Sequence, residues 1–476
     1  MMKFRHCHHL LILSLLAASC TRTPVQPEQA NDGERYTISL SALHPDSLIF
    51  SYTVTSGTRF ILPFHYFDNP LDLPDGSLIK NLRITDGSDA PVMRARITEQ
   101  IGPIQNQIVI LPTEVIHPVT FTWRVDPSVL NHDPETGHIP GILLNDSSML
   151  MIGAYCFIIP ELSTSLTTLW RTPHPVSVSV STPLSLPIYG IPSSTFSCPN
   201  LYTLLFLQFS AGPPPVASGH GGGVDFVFID LHGYTFTGTL LDSVSTMFAT
   251  ILDDIALRYG PFSGDPYTVS FSNIHGGLEG TFGFTVRDPA PGRESRFGEI
   301  LAHEALHHFI GIRCGEYDDL WWKEAGAAYL GLETATRLGY YPPDLFHARI
   351  TKRFSFADTL RFHRTLSDPL LRPQLFPDML YSLVYERGAQ IMMLLDVAVR
   401  TGSDNRFTLH HVMADLCSRF SGSAFTRGDF IETLGRYGAT DAAALFATYV
   451  DRGDTLPTPE LLDRTFNRLD SLGGYF

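Results

Sequence analysis

The residues best suited to chemistry in this chain are two histidines and a glutamate in the run His303-Glu304-Ala305-Leu306-His307. Residues four apart on an α-helix lie on the same face, about 6 Å apart along the axis. The ring nitrogens of His303 and His307 can therefore bind one metal ion, and Glu304 can reach a water molecule on that ion. This spacing predicts a zinc site with its own general base.

A catalytic zinc site needs a third protein ligand and keeps one position for water. We expect this ligand to be Glu324, which follows Trp321-Trp322-Lys323 on the next predicted helix. Two histidines and one glutamate around one Zn²⁺ are typical of hydrolytic sites, whereas structural sites are closed. If Glu324 points elsewhere, the alternative ligands are the acidic residues just before this helix, Glu316, Asp318 and Asp319.

The run that precedes the histidines favours a buried helix. Apolar residues recur there at helical spacing: Phe297, Ile300, Leu301 and Ala305. Gly298 opposes this, because a glycine in a helix interior costs about 1 kcal/mol relative to alanine. The alternative interpretation is a buried helix whose histidines only form hydrogen bonds.

Two further segments carry groups that peptide hydrolysis uses. In Gly276-Gly277-Leu278-Glu279-Gly280, the glycines let a substrate backbone approach, and the Glu279 carboxylate can hold a peptide's positive α-amine. In Val384-Tyr385-Glu386-Arg387-Gly388-Ala389, the phenol of Tyr385 can donate to the oxyanion of a tetrahedral intermediate. Taken alone, the first segment is more typical of a solvated hairpin and the tyrosine of a core residue.

In this order along the chain, the segments resemble the gluzincin zinc metallopeptidases, specifically the glycyl aminopeptidase family, which is related to the aminopeptidase N family. Those families place a GGLE or GxMEN segment before HExxH, then a glutamate ligand, then a tyrosine in a Y-E-K-G-A helix. The resemblance covers roughly residues 225–420. It implies a zinc-dependent aminopeptidase.

The resemblance also implies a role for each matching residue. The zinc ligands would be His303, His307 and Glu324. Glu304 would be the general base that later protonates the leaving amine, and Tyr385 would stabilise the oxyanion. The residues that contact the substrate would be Glu279, at its amine, and the glycines beside it, Gly276 and Gly277.

Three departures from the family pattern bear on this hypothesis. Sixteen residues separate His307 from Glu324, which is fewer than usual in the family. Ala325 stands where the family usually has glycine, and Gly280 stands where it usually has a polar residue. These departures keep two alternatives open, a zinc endopeptidase and a catalytically degenerate peptidase-like surface binding protein.

The N-terminus predicts export and lipidation. Lys3 and Arg5 precede a short apolar run that ends in Ala17-Ala18-Ser19-Cys20, which resembles the lipobox of bacterial lipoproteins. We expect a signal peptide over residues 1–19, a lipid anchor to the membrane at Cys20 and a flexible tether over 20–35. The expected location is the bacterial cell envelope, facing the periplasm or the exterior.

Composition and pattern set the expected architecture. The net charge of −15 argues against a nucleic-acid partner and leaves peptide or protein substrates.

Period-two alternation, as in 119–125 and 176–181, predicts a β-sandwich domain over 36–190. Residues 200–476 read as a mixed region that becomes mostly helical. With the resemblance, the expected class is α+β, a β-sandwich followed by a thermolysin-like zinc peptidase domain.

Overall fold

The computed structural model describes residues 34–40, 48–62, 79–92, 95–101, 104–125, 142–144, 148–153, 156–160, 174–181, 187–231, 238–263, 266–272, 277–287, 297–316, 321–352, 381–451 and 457–472. The predicted signal peptide, Cys20, Gly276 and the alternative ligands Asp318 and Asp319 lie outside these ranges. Sheets make up the first half and helices most of the second, which confirms the predicted α+β class.

The described residues of the first half form three sheets and one short helix. The elements are β1 Arg35–Leu40, β2 Leu48–Val54, β3 Arg59–Ile61, β4 Ile79–Thr85, β5 Ala95–Ile101, β6 Ile104–Ile110, β7 Val119–Val125, β8 Ile142–Leu144, β9 Met149–Ile152, β10 Ile159–Pro160, β11 Val176–Ser181, β12 Ile188–Tyr189, β13 Thr195–Cys198, α1 Leu201–Leu205 and β14 Gln208–Ala211. The strand orders in the sheets are β13-β11-β1-β2-β7-β4, β10-β3-β6-β5 and β12-β14-β9-β8.

The alternation read from the sequence buries one face of the largest sheet. Every second residue of β2 and of β7 is buried, because successive side chains of a strand point to opposite faces. Phe50 lies opposite Trp123 in the antiparallel register, with their rings 5.5 Å apart. Phe121 of β7 packs 4.6 Å from Phe60 of β3, which belongs to a different sheet. The two sheets therefore face each other, as in a β-sandwich.

The second half begins with a five-stranded sheet and a long helix. The elements are β15 Ala217–Gly221, β16 Val224–Asp230, α2 Gly238–Tyr259, β17 Tyr267–Ser272, β18 Gly277–Gly280 and β19 Gly283–Arg287. The strand order is β15-β16-β17-β19-β18, in which β16, β17 and β19 run parallel. Strand β18 pairs antiparallel with β19 at the edge of this sheet.

The remainder of the chain is mostly helical. Its elements are α3 Phe297–His307, β20 Gly315–Glu316, α4 Trp321–Arg337, α5 Pro343–Ile350, a π-helical segment Tyr381–Arg387, α6 Gly388–Gly402, α7 Leu409–Arg419, β21 Ala424–Phe425, α8 Arg427–Arg436, α9 Ala442–Leu445, a second π-helical segment Phe446–Val450 and α10 Pro459–Ser471. One large apolar core extends from Val224 to Leu469, and another is built mainly from residues 36–211.

Among the described helices, none combines the length and the hydrophobicity that crossing a bilayer requires.

Helices α3 and α4 approach each other unusually closely. All of α3 except Ile300 is buried. A Cβ atom added to Gly331 of α4 would lie 2.8 Å from the backbone nitrogen of His303 and 2.9 Å from its Cα. Glycine at position 331 therefore allows the two helix backbones to touch at the point where α3 carries His303.

We expect Gly331→Ala to destabilise the protein by about 1–3 kcal/mol, because the added methyl group must push α4 away from α3. Thermal unfolding measures this effect. Gly435→Ala on α8 is the matched control, since its Cβ meets nothing within 4 Å, and it should be neutral or stabilising by up to about 1 kcal/mol. Equal stability of both variants would show that the close helix contact is unimportant.

Candidate metal centre

The structure brings the three predicted zinc ligands together. Nε2 of His303 lies 3.0 Å from Nε2 of His307. Oε2 of Glu324 lies 3.6 Å from the first of these nitrogens and 3.3 Å from the second. Two imidazole nitrogens and one carboxylate oxygen thus converge on one point, which is the donor set that zinc takes in hydrolytic sites.

A backbone carbonyl fixes the orientation of one imidazole. Nδ1 of His307 lies 3.1 Å from the carbonyl oxygen of Ile310, in the turn that follows α3. A carbonyl can only accept, so Nδ1 donates to it, and Nε2 is the nitrogen left to bind a metal ion at the shared point. Outer contacts of this kind are typical of metal-binding histidines.

Glu304 is positioned as a buried carboxylate beside these ligands. Its Oε1 lies 4.0 Å from Nε2 of His303, and its Oε2 forms no hydrogen bond with any residue that the structure describes. A buried carboxylate oxygen without a donor is costly. A water molecule beside a metal ion would supply that donor, so the residues present fit a zinc site.

Gly277 makes room for this carboxylate. A Cβ atom at position 277 would lie 2.2 Å from Oε1 of Glu304 and 2.5 Å from its Cδ. The glycine of edge strand β18 was predicted to let a substrate approach. The structure adds a second reason for glycine here, because a side chain would displace Glu304.

The pKa values of the two histidine ligands are shifted in opposite directions. Burial lowers the pKa of His303, whereas at His307 the charges of Glu324 and Glu279 outweigh burial and raise the pKa to about 9. Burial alone would raise the pKa of Glu324, but the charges of His307 and Lys323 hold it well below its usual value. Glu324 therefore stays ionised, as a metal ligand must be.

The pKa of Glu304 moves the other way. Burial is the main cause of its rise well above the usual range, and the negative charges of Glu279 and Glu324 add to it, against the opposing charge of His307. A carboxylate with a raised pKa holds a proton more readily near neutral pH, which suits proton transfer.

Tyr385 reaches the same point from a third direction. Its ring stacks on His303, with centroids 5.9 Å apart and planes 24° from parallel. Burial, the charges of Glu324 and Glu279, and a hydrogen bond to Glu324 all raise the pKa of its hydroxyl. The phenol therefore keeps its proton and lies beside the ligand set. It projects from the π-helical segment, a backbone form that is frequent at functional sites.

Glu279 lies close to the centre, but its carboxylate already has a cationic partner. Oxygen atoms of Glu279 and Glu304 and a nitrogen of His307 lie within 4.8 Å of one another. Nζ of Lys323 donates to Oε1 of Glu279, and both side chains are buried. The predicted anchor for a substrate amine is therefore paired with a lysine of the same chain.

Buried polar contacts of residues that follow Glu324 on α4 hold this helix in place. The hydroxyl of Tyr329 donates to Oδ2 of Asp396 on α6 at 2.8 Å, and the backbone N–H of Leu409 donates to Oδ1 at 2.6 Å. Farther along, Glu333 lies 3.1 Å from His410 of α7. These satisfied contacts fix the helix that carries the third ligand.

Two features of the site have no counterpart in the prediction. No role was predicted for Lys323, although a basic side chain in the first turn of a helix is electrostatically unfavourable. Cys314 and Cys417 form a disulfide with Cα atoms 5.1 Å apart, which joins the turn after α3 to α7. The connectivity of widely spaced cysteines cannot be deduced from sequence alone.

Comparison with known proteins shows the fold. No protein-family model and no curated protein matches the sequence. Among solved structures, an aminopeptidase N family protein of Idiomarina loihiensis matches with a TM-score of 0.65 and 16% identity, over 90% of this chain and 78% of that one. Yeast LTA4 hydrolase matches with a TM-score of 0.58 and 13% identity, over 94% and 73%.

A third neighbour is of similar length. The M1 zinc metallopeptidase of Deinococcus radiodurans matches with a TM-score of 0.55 and 16% identity, over 90% of this chain and 96% of that one. The chain therefore has the fold of aminopeptidase N family and M1 zinc metallopeptidases. The resemblance inferred from the motifs is confirmed at the level of the fold.

We expect the purified chain to bind about one zinc ion, and Glu324→Gln to weaken binding by more than about 100-fold, since even changes outside the ligand shell cost 10–100-fold. Metal analysis and competition with a chelator measure both. Asp463→Asn is the control, because this carboxylate is half exposed on α10. Full zinc retention by Glu324→Gln would exclude this carboxylate as a ligand.

Zinc binding should release a proton from His307, because its pKa is about 9 in the metal-free protein and a ligand must be neutral. Zinc affinity should then rise about tenfold per pH unit from pH 7 to 9 and level off above. Protonated His307 also stabilises the metal-free folded protein. This contribution is complete below the unfolded pKa of about 6.5, and it should be lost as the pH rises toward 9.

Titration calorimetry of zinc binding in buffers with different ionisation enthalpies counts the protons released. An affinity that does not change between pH 7 and 8, with no proton release, would contradict this assignment.

Proposed function

We propose that the protein is a zinc-dependent peptidase that hydrolyses peptide bonds in the bacterial cell envelope, where a lipid anchor at Cys20 holds it. One observation carries the activity: the ligand atoms of His303, His307 and Glu324 converge beside the unpartnered carboxylate oxygen of Glu304. The fold that the chain shares with zinc metallopeptidases supports the same chemistry.

The residues around the centre have separate tasks in the proposed reaction. When bound, zinc would polarise the scissile carbonyl and acidify a coordinated water. Glu304 takes the proton of the attacking water and delivers it to the leaving nitrogen, as its raised pKa allows. Tyr385 donates its hydroxyl proton in a hydrogen bond to the oxygen of the tetrahedral intermediate.

The proposed location depends on the N-terminal sequence. The basic residues Lys3 and Arg5, the apolar run and Cys20 form the lipoprotein pattern. The net charge of −15 disfavours nucleic acid as a partner, so peptides or proteins are the proposed substrates.

The structure accommodates alanine at position 325, where the family usually has glycine, and still brings the three ligands together. Ala325 follows the ligand Glu324, and a Cβ atom added to Gly388 of α6 would lie only 2.6 Å from the Cβ of Ala325. Gly388 thus leaves the space that this methyl group needs. This packing removes the Ala325 substitution as a reason to expect a degenerate binding protein.

Glu304→Gln should lower kcat by about 10²–10⁴, because it removes the general base. Zinc content should stay near that of the unmodified chain, since Glu304 is not assigned as a ligand. Chelator-sensitive cleavage of a peptide library, followed by mass spectrometry, measures the activity. Glu432→Gln, whose side chain is 70% exposed on α8, is the matched control and should cleave normally.

A zinc-loaded Glu304→Gln variant that cleaves as fast as the unmodified chain would overturn the proposed mechanism. Absence of cleavage by the unmodified chain with a full zinc complement would favour the binding protein instead.

A further inference from the structure

The largest sheet of the N-terminal half has a second face, which points away from the core. Strands β1, β2, β7 and β11 bury alternate side chains in the N-terminal core, and the side chains between them form what we call the outer face. Its basic residues are Arg35 on β1, Arg124 on β7, and Lys80 and Arg83 on β4. Arg35, Lys80 and Arg83 are exposed, and Arg124 is partly exposed.

Hydroxyl groups occupy most other positions of the outer face. Three pairs of hydroxyl oxygens lie within hydrogen-bond distance across neighbouring strands, at 3.1 Å for Thr53–Thr120, 3.2 Å for Ser39–Ser181 and 3.3 Å for Ser179–Thr195. A hydroxyl can donate to a phosphate oxygen as readily as to another hydroxyl. The surface between the basic residues is therefore able to hydrogen-bond with an anionic partner.

The outer face differs from the rest of the chain in its charge. The chain has 48 acidic and 33 basic residues, yet the six strands of this sheet contain no aspartate or glutamate. Basic residues on an edge strand can serve to prevent unwanted strand pairing, which would explain Lys80 and Arg83 on β4. Arg35 and Arg124 lie on inner strands, where that reason does not apply.

Three of the basic residues lie close together. Lys80 is opposite Arg124 in the register of β4 and β7, and Arg83 is opposite Thr122 on the same pair of strands. Like charges that face each other across a sheet are unfavourable. No carboxylate among the residues that the structure describes forms an ion pair with these three side chains. An anionic surface would supply the missing partner.

The proposed anchor places this face near a membrane. Arg35 is the first residue of β1, and residues 21–34 separate it from Cys20. A segment of this length spans at most about 50 Å, and a flexible one spans about 20 Å on average. A lipid at Cys20 would therefore keep the beginning of β1, and the outer face with it, within a few nanometres of the bilayer.

We infer that the outer face rests on the anionic headgroups of the membrane that holds the anchor, with its four basic residues in contact with lipid phosphates. This inference rests on the proposed lipid anchor at Cys20 and goes beyond the proposed peptidase activity. The net negative charge of the chain is repelled by the same headgroups. The contact therefore also determines which side of the protein faces the membrane.

The lysines of the chain allow a direct test without any substitution. After residues 1–19, the chain contains only Lys80, the buried Lys323 and the half-exposed Lys352. The lipidated chain is reconstituted in vesicles of phosphatidylcholine, alone or mixed with phosphatidylglycerol, and treated with a water-soluble amine-acylating reagent. Peptide mass spectrometry then gives the acylation rate of Lys80 relative to that of Lys352.

We expect the relative rate of Lys80 to fall about tenfold or more on the anionic vesicles, since each basic residue near an anionic bilayer favours contact about fivefold. The rate should recover at 1 M salt, where the screening length is only about 3 Å. Equal relative rates on the two kinds of vesicle would overturn the inference.

Substitutions test whether the outer face is responsible. Arg83→Gln/Arg124→Gln removes two of its charges, leaves Lys80 as the reporter and should reduce the protection by about tenfold or more. Arg464→Gln/Arg468→Gln is the matched control, because both arginines are exposed on α10 and the change in net charge is the same. The control should keep the full protection. The same degree of protection in both folded double variants would contradict the inference.

Further outcomes separate this inference from the proposals on which it rests. Protection of Lys80 by dissolved polyphosphate, but not by anionic vesicles, would reject membrane contact in favour of a soluble polyanion. The mass of the chain isolated from cells shows whether Cys20 carries lipid. An unlipidated chain would reject the anchor, and the same comparison with vesicles added in excess would still decide whether the outer face binds anionic lipid. Peptide cleavage enters none of these measurements.

Discussion

The site depends on the burial of charged groups that compensate one another. Glu279, Glu304, Lys323 and Glu324 are packed within a few side chains of each other, and ionised groups are stable in such surroundings only when they are paired or bound to metal. The pairing extends from Glu279 through Lys323 to Glu324 and on to the two histidines. Each charge therefore constrains the position of the next.

Small residues make this arrangement possible. Gly331 lets α4 touch the backbone of α3, Gly277 admits the carboxylate of Glu304, and Gly311 admits the stem of Lys323. A methyl group at any of these positions would meet atoms closer than 3.0 Å. The polar site is thus enclosed by backbone at close range, and electrostatic interactions are stronger in such low-dielectric surroundings.

Local periodicity predicted much of the fold. The alternation at 119–125 and 176–181 reappears as β7 and β11, and the apolar spacing over 297–305 reappears in α3. Such patterns report which face of an element is buried. They do not report which sheets pair, so the order of the three N-terminal sheets and the pairing of β20 with β21 could not be predicted.

In the metal site too, local spacing could be predicted from the sequence, whereas contacts between distant segments could not. The spacing of His303 and His307 fixes their relation on one helix, so their proximity followed from helix geometry. The approach of Glu324 depended on the packing of two helices, and the family resemblance supplied that expectation. The partner of Glu279 lies on α4, 44 residues away, and no local pattern indicates such a contact.

A lysine before the third ligand has an electrostatic cost that argues for a specific role. The first turn of a helix disfavours cations, and burial disfavours any charge. Lys323 is nevertheless buried there, and its pKa is raised because the charge of Glu279 overcomes the effect of burial. The ion pairs of Lys323 with Glu279 and Glu324 therefore tie the first turn of α4, which carries the third ligand, to strand β18.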